Sequence, residues 1–348
     1  GIGVFPMPVE TRLGAQQARL SATQMFPWFG TLGQKESVEA AKAAALYERI
    51  DVQALNLIYE GEQAYYKLYE IQRSQIIIQE NIDILRALEQ LSLAKITSGS
   101  ATAADVLRVQ LKIEELTQEL SILQTAEAAP LATINQLRNQ PVNAAWTIDD
   151  SLSFAILPFD KDTLLTNISA YHPVIRMLNK QQDVAREALT LNKLNGKPSF
   201  GVGLDYIAVG ERTDAFPENN GRDILQMRAT IRIPLFREQY AAKEREENLR
   251  IQALSQQEEA TIDQFAAQIE QAYTQHETAR LQYELYEQQI EITAAAIRIL
   301  RESYSADGSS FDELLRLESE LINYDLKKLR ATVQSHLAKS SIQRFIIQ

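Results

Sequence analysis

Two long stretches of this chain leave little choice of architecture. Residues 238–306 contain neither Gly nor Pro, and residues 31–97 contain no Pro and only Gly33 and Gly61. Gly and Pro are the strongest interrupters of helices, so each stretch is predicted to be one continuous helix. Leu57, Ala64, Ile71, Ile78 and Leu85 recur every seven residues, and so do Phe265, Ala272, Ala279, Tyr286, Thr293 and Leu300. A sustained seven-residue period marks a coiled-coil seam, along which a helix packs on its neighbour. At 1.5 Å per residue such a helix measures about 100 Å, more than a compact domain accommodates.

Each long helix is followed by turn signals, Ser98-Gly99-Ser100 and Asp307-Gly308-Ser309-Ser310, and then by a shorter helical pattern over 102–138 and 310–347. The first return carries Val106, Val109, Ile113, Leu116, Leu120 and Leu123; the second carries Leu314, Leu317, Leu321 and Tyr324. These return helices are too short to cover their partners. Residues 160–195, after an irregular linker at 139–157, are expected to cover the remainder of the first.

The two hairpins belong to a repeat. Phe26-Pro27-Trp28-Phe29 and Ile233-Pro234-Leu235-Phe236 both close an alternating segment and precede a long helix, 207 residues apart (234 − 27). Ile96, Gly99, Asp105 and Leu107 match Tyr304, Asp307, Glu313 and Leu315 at an offset of 208 (304 − 96). Two landmarks with nearly the same shift indicate a tandem duplication. By that offset, about fifty residues of the first copy are expected before Gly1, and the chain reads as a mature or truncated one.

The alternating segments predict strands. In 198–210, Phe200, Val202, Leu204 and Tyr206 oppose Ser199, Gly201, Gly203 and Asp205. In 225–233, Leu225, Met227, Ala229, Ile231 and Ile233 oppose Gln226, Arg228, Thr230 and Arg232. Each strand thus has one apolar and one polar face. Residues 211–223 form the hairpin loop, 17–26 the strand of the first copy, and 1–5 the tail of its partner. A sheet of four strands cannot close a membrane barrel, which needs at least about eight, unless several chains each donate one. In that case Asp205, Gln226, Arg228, Thr230 and Arg232 face the lumen.

Composition narrows the functional classes. With 35 Lys and Arg against 46 Asp and Glu, the net charge is −11, which argues against nucleic acid as a partner. Cysteine is absent, excluding disulfides and thiolate sites within these 348 residues. No apolar run reaches the roughly 18–20 residues of a membrane-spanning helix, although a β-barrel leaves a weaker signal. His172, His276 and His336 have no metal-ligand spacing and are expected at helix surfaces or starts. No nucleophile, base and acid are grouped, so neither enzyme activity nor a cofactor is expected.

These landmarks resemble the outer membrane efflux protein family, the TolC-like outer membrane factors, over essentially the whole chain. The resemblance lies in Glu10 to Gln16 and Gln24 to Gly30, in Ala170-Tyr171-His172-Pro173, and in a hairpin-tip motif found twice: Gly99 with Asp105-Val106-Leu107, and Tyr304 with Glu313-Leu314-Leu315. Ile96 stands at the tip Tyr of the first copy and Asp307 at the Gly of the second, with Gly308 beside it. The segment Met25 to Gly30 resembles the heavy-metal branch. The resemblance implies a mainly α fold with a small β part: tandem coiled-coil hairpins plus strands of a trimeric transmembrane β-barrel. It divides the chain into barrel strands at 1–30 and 198–236, hairpins at 31–138 and 237–348, a linker at 139–157 and a second-copy helix at 158–197.

The same resemblance implies a homotrimer in the outer membrane of a Gram-negative bacterium. Its helices lie in the periplasm, and it works with a periplasmic adaptor and an inner-membrane transporter of the RND type. It places Gly99, Ser100, Thr102, Asp105, Tyr304, Asp307, Gly308, Ser310, Asp312 and Glu313 at the tips, where an adaptor docks or the aperture closes. The tip carboxylates can ring that aperture or simply cap the returning helices. A periplasmic adaptor or structural coiled coil is the alternative; it leaves the amphipathic strands unexplained.

Overall fold

The computed structural model describes residues 1–7, 9–97, 101–148, 151–157, 160–307 and 310–346. The elements, in order, are β1 (Ile2–Val4), β2 (Glu10–Thr11), β3 (Gly14–Phe26), α1 (Thr31–Thr97), α2 (Ala103–Ala126), α3 (Ala128–Leu137), α4 (Lys161–Tyr171), α5 (Pro173–Asn195), β4 (Ser199–Gly210), β5 (Ile224–Arg232), α6 (Glu238–Asp307) and α7 (Phe311–Gln343). Both long helices run unbroken, α1 for 67 residues and α6 for 70. The shorter ones break where proline intervenes. The expected first return helix divides at Glu127, because the Pro130 ring lacks an N–H and crowds the carbonyl four residues earlier. The 158–197 helix divides at His172, which Pro173 forces into an extended conformation.

The chain forms two compact units, and the division crosses α1 and α6 instead of falling at their ends. The first comprises Gly1–Arg49 and Arg176–Ala260. In it the opening part of α1, the opening part of α6 and α5 pack together. Arg176 donates from Nε to Glu48 at 2.8 Å, Gln182 donates to Glu258 at 2.9 Å, and Asn192 donates to the Tyr240 carbonyl at 2.8 Å. Val38, Ala45, Leu178, Ala185 and Leu254 are buried in this unit.

The same unit holds the sheet, antiparallel in the order β1-β3-β4-β5, with β2 also pairing β3. Its register aligns Ser21 with Asp205 and Gln226, and Thr23 with Gly203 and Arg228. Gly14 makes the close approach of β3 to β4 possible: its φ is 135° and a Cβ there would lie 1.8 Å from the Gly210 carbonyl oxygen.

The second unit comprises Ile50–Ile175 and Thr261–Gln348. Here α2 and α3 accompany the later part of α1, and α7 accompanies α6. Ile78, Ile82 and Leu85 of α1, Val109 and Leu116 of α2, Tyr304 of α6 and Leu314 and Ile322 of α7 share one core. Within the seam predicted by the heptads, Ala64, Ile71, Ile78, Leu85, Phe265, Ala272 and Ala279 are all buried. A second core joins Leu164 and Ile168 of α4 to Phe265 and Ile269 of α6 and Ile342 of α7.

The described residues of the linker are strapped down by side chains. Asn135 donates to the Val142 and Ala144 carbonyls, and Gln72 accepts from the Ile148 amide and donates to the Trp146 carbonyl. The Tyr69 hydroxyl accepts from the Leu152 amide and Ser335 Oγ from the Ala155 amide. No helix among the described residues is long and apolar enough to cross a membrane.

Candidate functional site: an amphipathic sheet and two hairpin tips

Two places in the fold carry features that packing alone does not require. The first is the sheet. Alternation along β3, β4 and β5 is in register, so Leu20, Tyr206 and Leu225 line up across one face, as do Ala22, Leu204 and Met227, and then Phe26, Phe200 and Ile231. This face is bare: Met227 is 85% exposed, Leu225 67% and Val202 62%. Fully burying one such side chain is worth about 1.5–3 kcal/mol, so a contiguous face of them demands an apolar covering. At the helix-proximal end of the strands, Trp28 stacks on Phe200 with centroids 6.0 Å apart, and Phe29 lies 6.3 Å from the same ring.

The opposite face is polar. Asp205 sits at its centre, 1% exposed, and accepts hydrogen bonds from Arg19 Nε at 3.3 Å and Nη2 at 2.8 Å. Arg228 Nη2 also donates to Asp205. Arg228 lies opposite Gly203, two residues along β4 from Asp205 on the same face. Gln226, Thr230 and Arg232 share this face with Asp205 and Arg228 by register. Arg19 was not among the residues expected there; its alternation with Ser21 and Thr23 in the first-copy strand was the available signal. Toward the loop the same face turns apolar, with Ile207 and Val209 buried.

The second place is the pair of hairpin tips, both within the second unit. Gly99, Ser100 and Gly308 lie outside the described residues, and Asp307 is the last residue of α6. Thr102 and Asp105 form a capping box on α2: the Thr102 hydroxyl accepts from the Asp105 amide at 3.3 Å, and the Asp105 carboxylate accepts from the Thr102 amide at 2.8 Å. Asp312 and Glu313 lie in the first turn of α7, where carboxylates oppose the positive end of the helix dipole. Asp312 pairs with Arg108 of α2, and Glu313 with Arg316 at 2.5 Å. Ser310, at the N-cap of α7, has a left-handed φ of 66° and makes no side-chain cap bond.

Tyr304 is fully buried at the tip. Its ring lies 5.2 Å from that of Phe311, and its hydroxyl is 3.0 Å from Ser92 Oγ on α1. Lys95 places its ammonium over the same ring, 5.3 Å from the centroid, and donates to the Ser305 carbonyl. Beside these residues an open groove of about 280 Å³ is lined by Ile84, Leu88, Leu91, Arg301 and Glu318.

The histidines differ from expectation in part. His172 stands at the start of α5 but is buried against Phe265, 4.5 Å away. His276 and His336 grip the linker, with Nε2 at 2.7 Å from the Ala155 carbonyl and 2.8 Å from that of Ser153. Burial holds His336 below the usual imidazole range, with the nearby Lys339 and His276 pushing the same way. Among the described residues no three His, Asp or Glu side chains are placed to share a metal ion.

No protein-family model matches the sequence, and no curated protein sequence matches it. Solved structures do. The outer membrane protein VceC of Vibrio cholerae matches with a TM-score of 0.76 at 15% identity, over 99% of this chain and 86% of that one. The outer-membrane channel OprN matches with 0.76 at 19% identity, over 99% and 78%. The open state of the MtrE outer membrane channel of Neisseria gonorrhoeae gives 0.74 at 14%, over 94% and 78%. The chain has the TolC-like outer-membrane channel fold. The mainly α architecture with a small antiparallel sheet, expected from the repeat and the heptads, is therefore this fold.

Proposed function

We propose that this chain is one protomer of a passive outer-membrane duct, the outermost component of a tripartite efflux system. The observation that carries the proposal is the sheet, apolar and exposed on one face, polar on the other. A soluble sheet would cover the apolar face with protein; lipid covers it here, and the polar face meets water inside a barrel. Three complete chains pool their strands to close the wall, which removes the open edges. Trp28, Phe29 and Phe200 fit the aromatic girdle that marks a membrane–water boundary.

On this proposal the long helices project into the periplasm of a Gram-negative bacterium. The tips carrying Thr102, Asp105, Asp312 and Glu313 form the end that narrows the duct and meets a periplasmic adaptor, while an RND-type inner-membrane transporter supplies the energy. The fold shared with VceC, OprN and MtrE supports the channel assignment. The test is reconstitution of the purified full-length protein into planar bilayers. Discrete conductance steps from a detergent-solubilised trimer are expected; a monomer that stays soluble without detergent and conducts nothing would overturn the proposal.

A further inference from the structure

We propose that the polar face of the sheet is a net cationic lining that favours anionic solutes, those bearing carboxylate, phosphate or sulfonate groups. The inference rests on the channel proposal above and adds to it the sign of the charge that a permeating solute meets.

The cross-strand register places four ionisable side chains on this face: Arg19 from β3, Asp205 from β4, and Arg228 and Arg232 from β5. Three guanidinium groups against one carboxylate leave a surplus of two positive charges per chain, against a background of −11 for the whole sequence. Exposure sharpens the imbalance. The Asp205 side chain is 1% exposed, whereas those of Arg19 and Arg228 are 38% and 42% exposed. The single anion therefore lies beneath the two cations that bind it, and the cations face outward. Arg19 gives Nε and Nη2 to Asp205, and Arg228 gives Nη2, so both keep further N–H groups for an incoming oxyanion. Arg232 is exposed and has no ion-pair partner among the described residues.

Asp205 thus acts as a clamp. It orients two guanidinium groups in a fixed array and cancels only part of their charge. Planar, permanently charged guanidinium groups suit bidentate carboxylate and phosphate recognition. Closing copies of the sheet around a narrow lumen would bring these arrays together, where low-dielectric walls focus the field.

The experiment is the reversal potential of the reconstituted full-length channel in a KCl gradient. The tip carboxylates act on the same potential, so the reading is the change in the chloride-to-potassium permeability ratio between the unaltered channel and its variants. Arg232→Glu should lower the chloride-to-potassium permeability ratio by about twofold or more. The double variant Asp205→Asn with Arg228→Gln removes one charge of each sign and should leave the ratio close to that of the unaltered channel. Normal conductance with a ratio indifferent to Arg232→Glu overturns the cationic lining and leaves the channel proposal standing. Absence of any conductance from the unaltered protein overturns the channel proposal, and this inference falls with it.

Discussion

The two hairpins are copies of one pattern, yet their tips are secured in different ways. The first is held locally: Thr102 and Asp105 exchange a reciprocal pair of hydrogen bonds within one turn of α2. The second has no such box. Ser310 enters α7 in a left-handed conformation without a side-chain bond, and the order of the turn comes from Tyr304, packed on Phe311 and bonded to Ser92 of the other hairpin. The first copy has Ile96 where the second has Tyr304, and so has no hydroxyl to reach across. One backbone path is kept by two different energies, a cap in one copy and tertiary packing in the other.

That contrast can be broken or sharpened by substitution. Because the long helices pass through two compact units, local amide exchange is a better gauge than a single unfolding transition. Tyr304→Ala should have the largest effect, lowering the opening free energy of the α6–α7 tip by about 3–5 kcal/mol, the cost of deleting a buried aromatic ring. Tyr304→Phe keeps the ring and removes only the bond to Ser92, so a loss of about 1 kcal/mol is expected. Thr102→Ala should cost about 1 kcal/mol, confined to the first turn of α2. If Thr102→Ala instead loosened both tips equally, the first would not be locally held.

The smallest effect concerns a histidine clasp at a position where the first copy has alanine. His336 grips the linker, while the position 208 residues earlier is Ala128. A native imidazole held below its ordinary value of 6.5 binds fewer protons than the unfolded chain just under that pH. Stability from this group is complete above about 6.5 and declines as pH falls toward the depressed native value. A modest loss of amide-exchange protection around the linker on acidification through that window should shrink in His336→Gln.

Much of this was legible in the sequence, because the signals were periodic. The heptad from Leu57 to Leu85 and the alternation from Phe200 to Tyr206 repeat often enough to set element type, and the long helices and the strand faces follow them. What escaped depends on partners far along the chain. The burial of Tyr304 requires Ser92, 212 residues away, and the place of Arg19 on the polar face requires its register with β4. The break at His172 was signalled by Pro173 and that at Glu127 by Pro130, but a strong apolar period masked both. The histidine grip on the linker has no local signature, since each imidazole meets a main-chain carbonyl, which any residue could supply.

The central claim is that the two faces of this sheet meet different media, and adjacent residues of β5 test it directly. This chain has no cysteine, so Met227→Cys and Arg228→Cys each introduce one labelling site into it for a spin label, read in the protein reconstituted in lipid vesicles. The account predicts that the label at 227 is relaxed chiefly by oxygen dissolved in the bilayer and the label at 228 chiefly by a water-soluble nickel chelate. Equal access of the chelate to both positions, or shielding of position 227 from lipid, would contradict it.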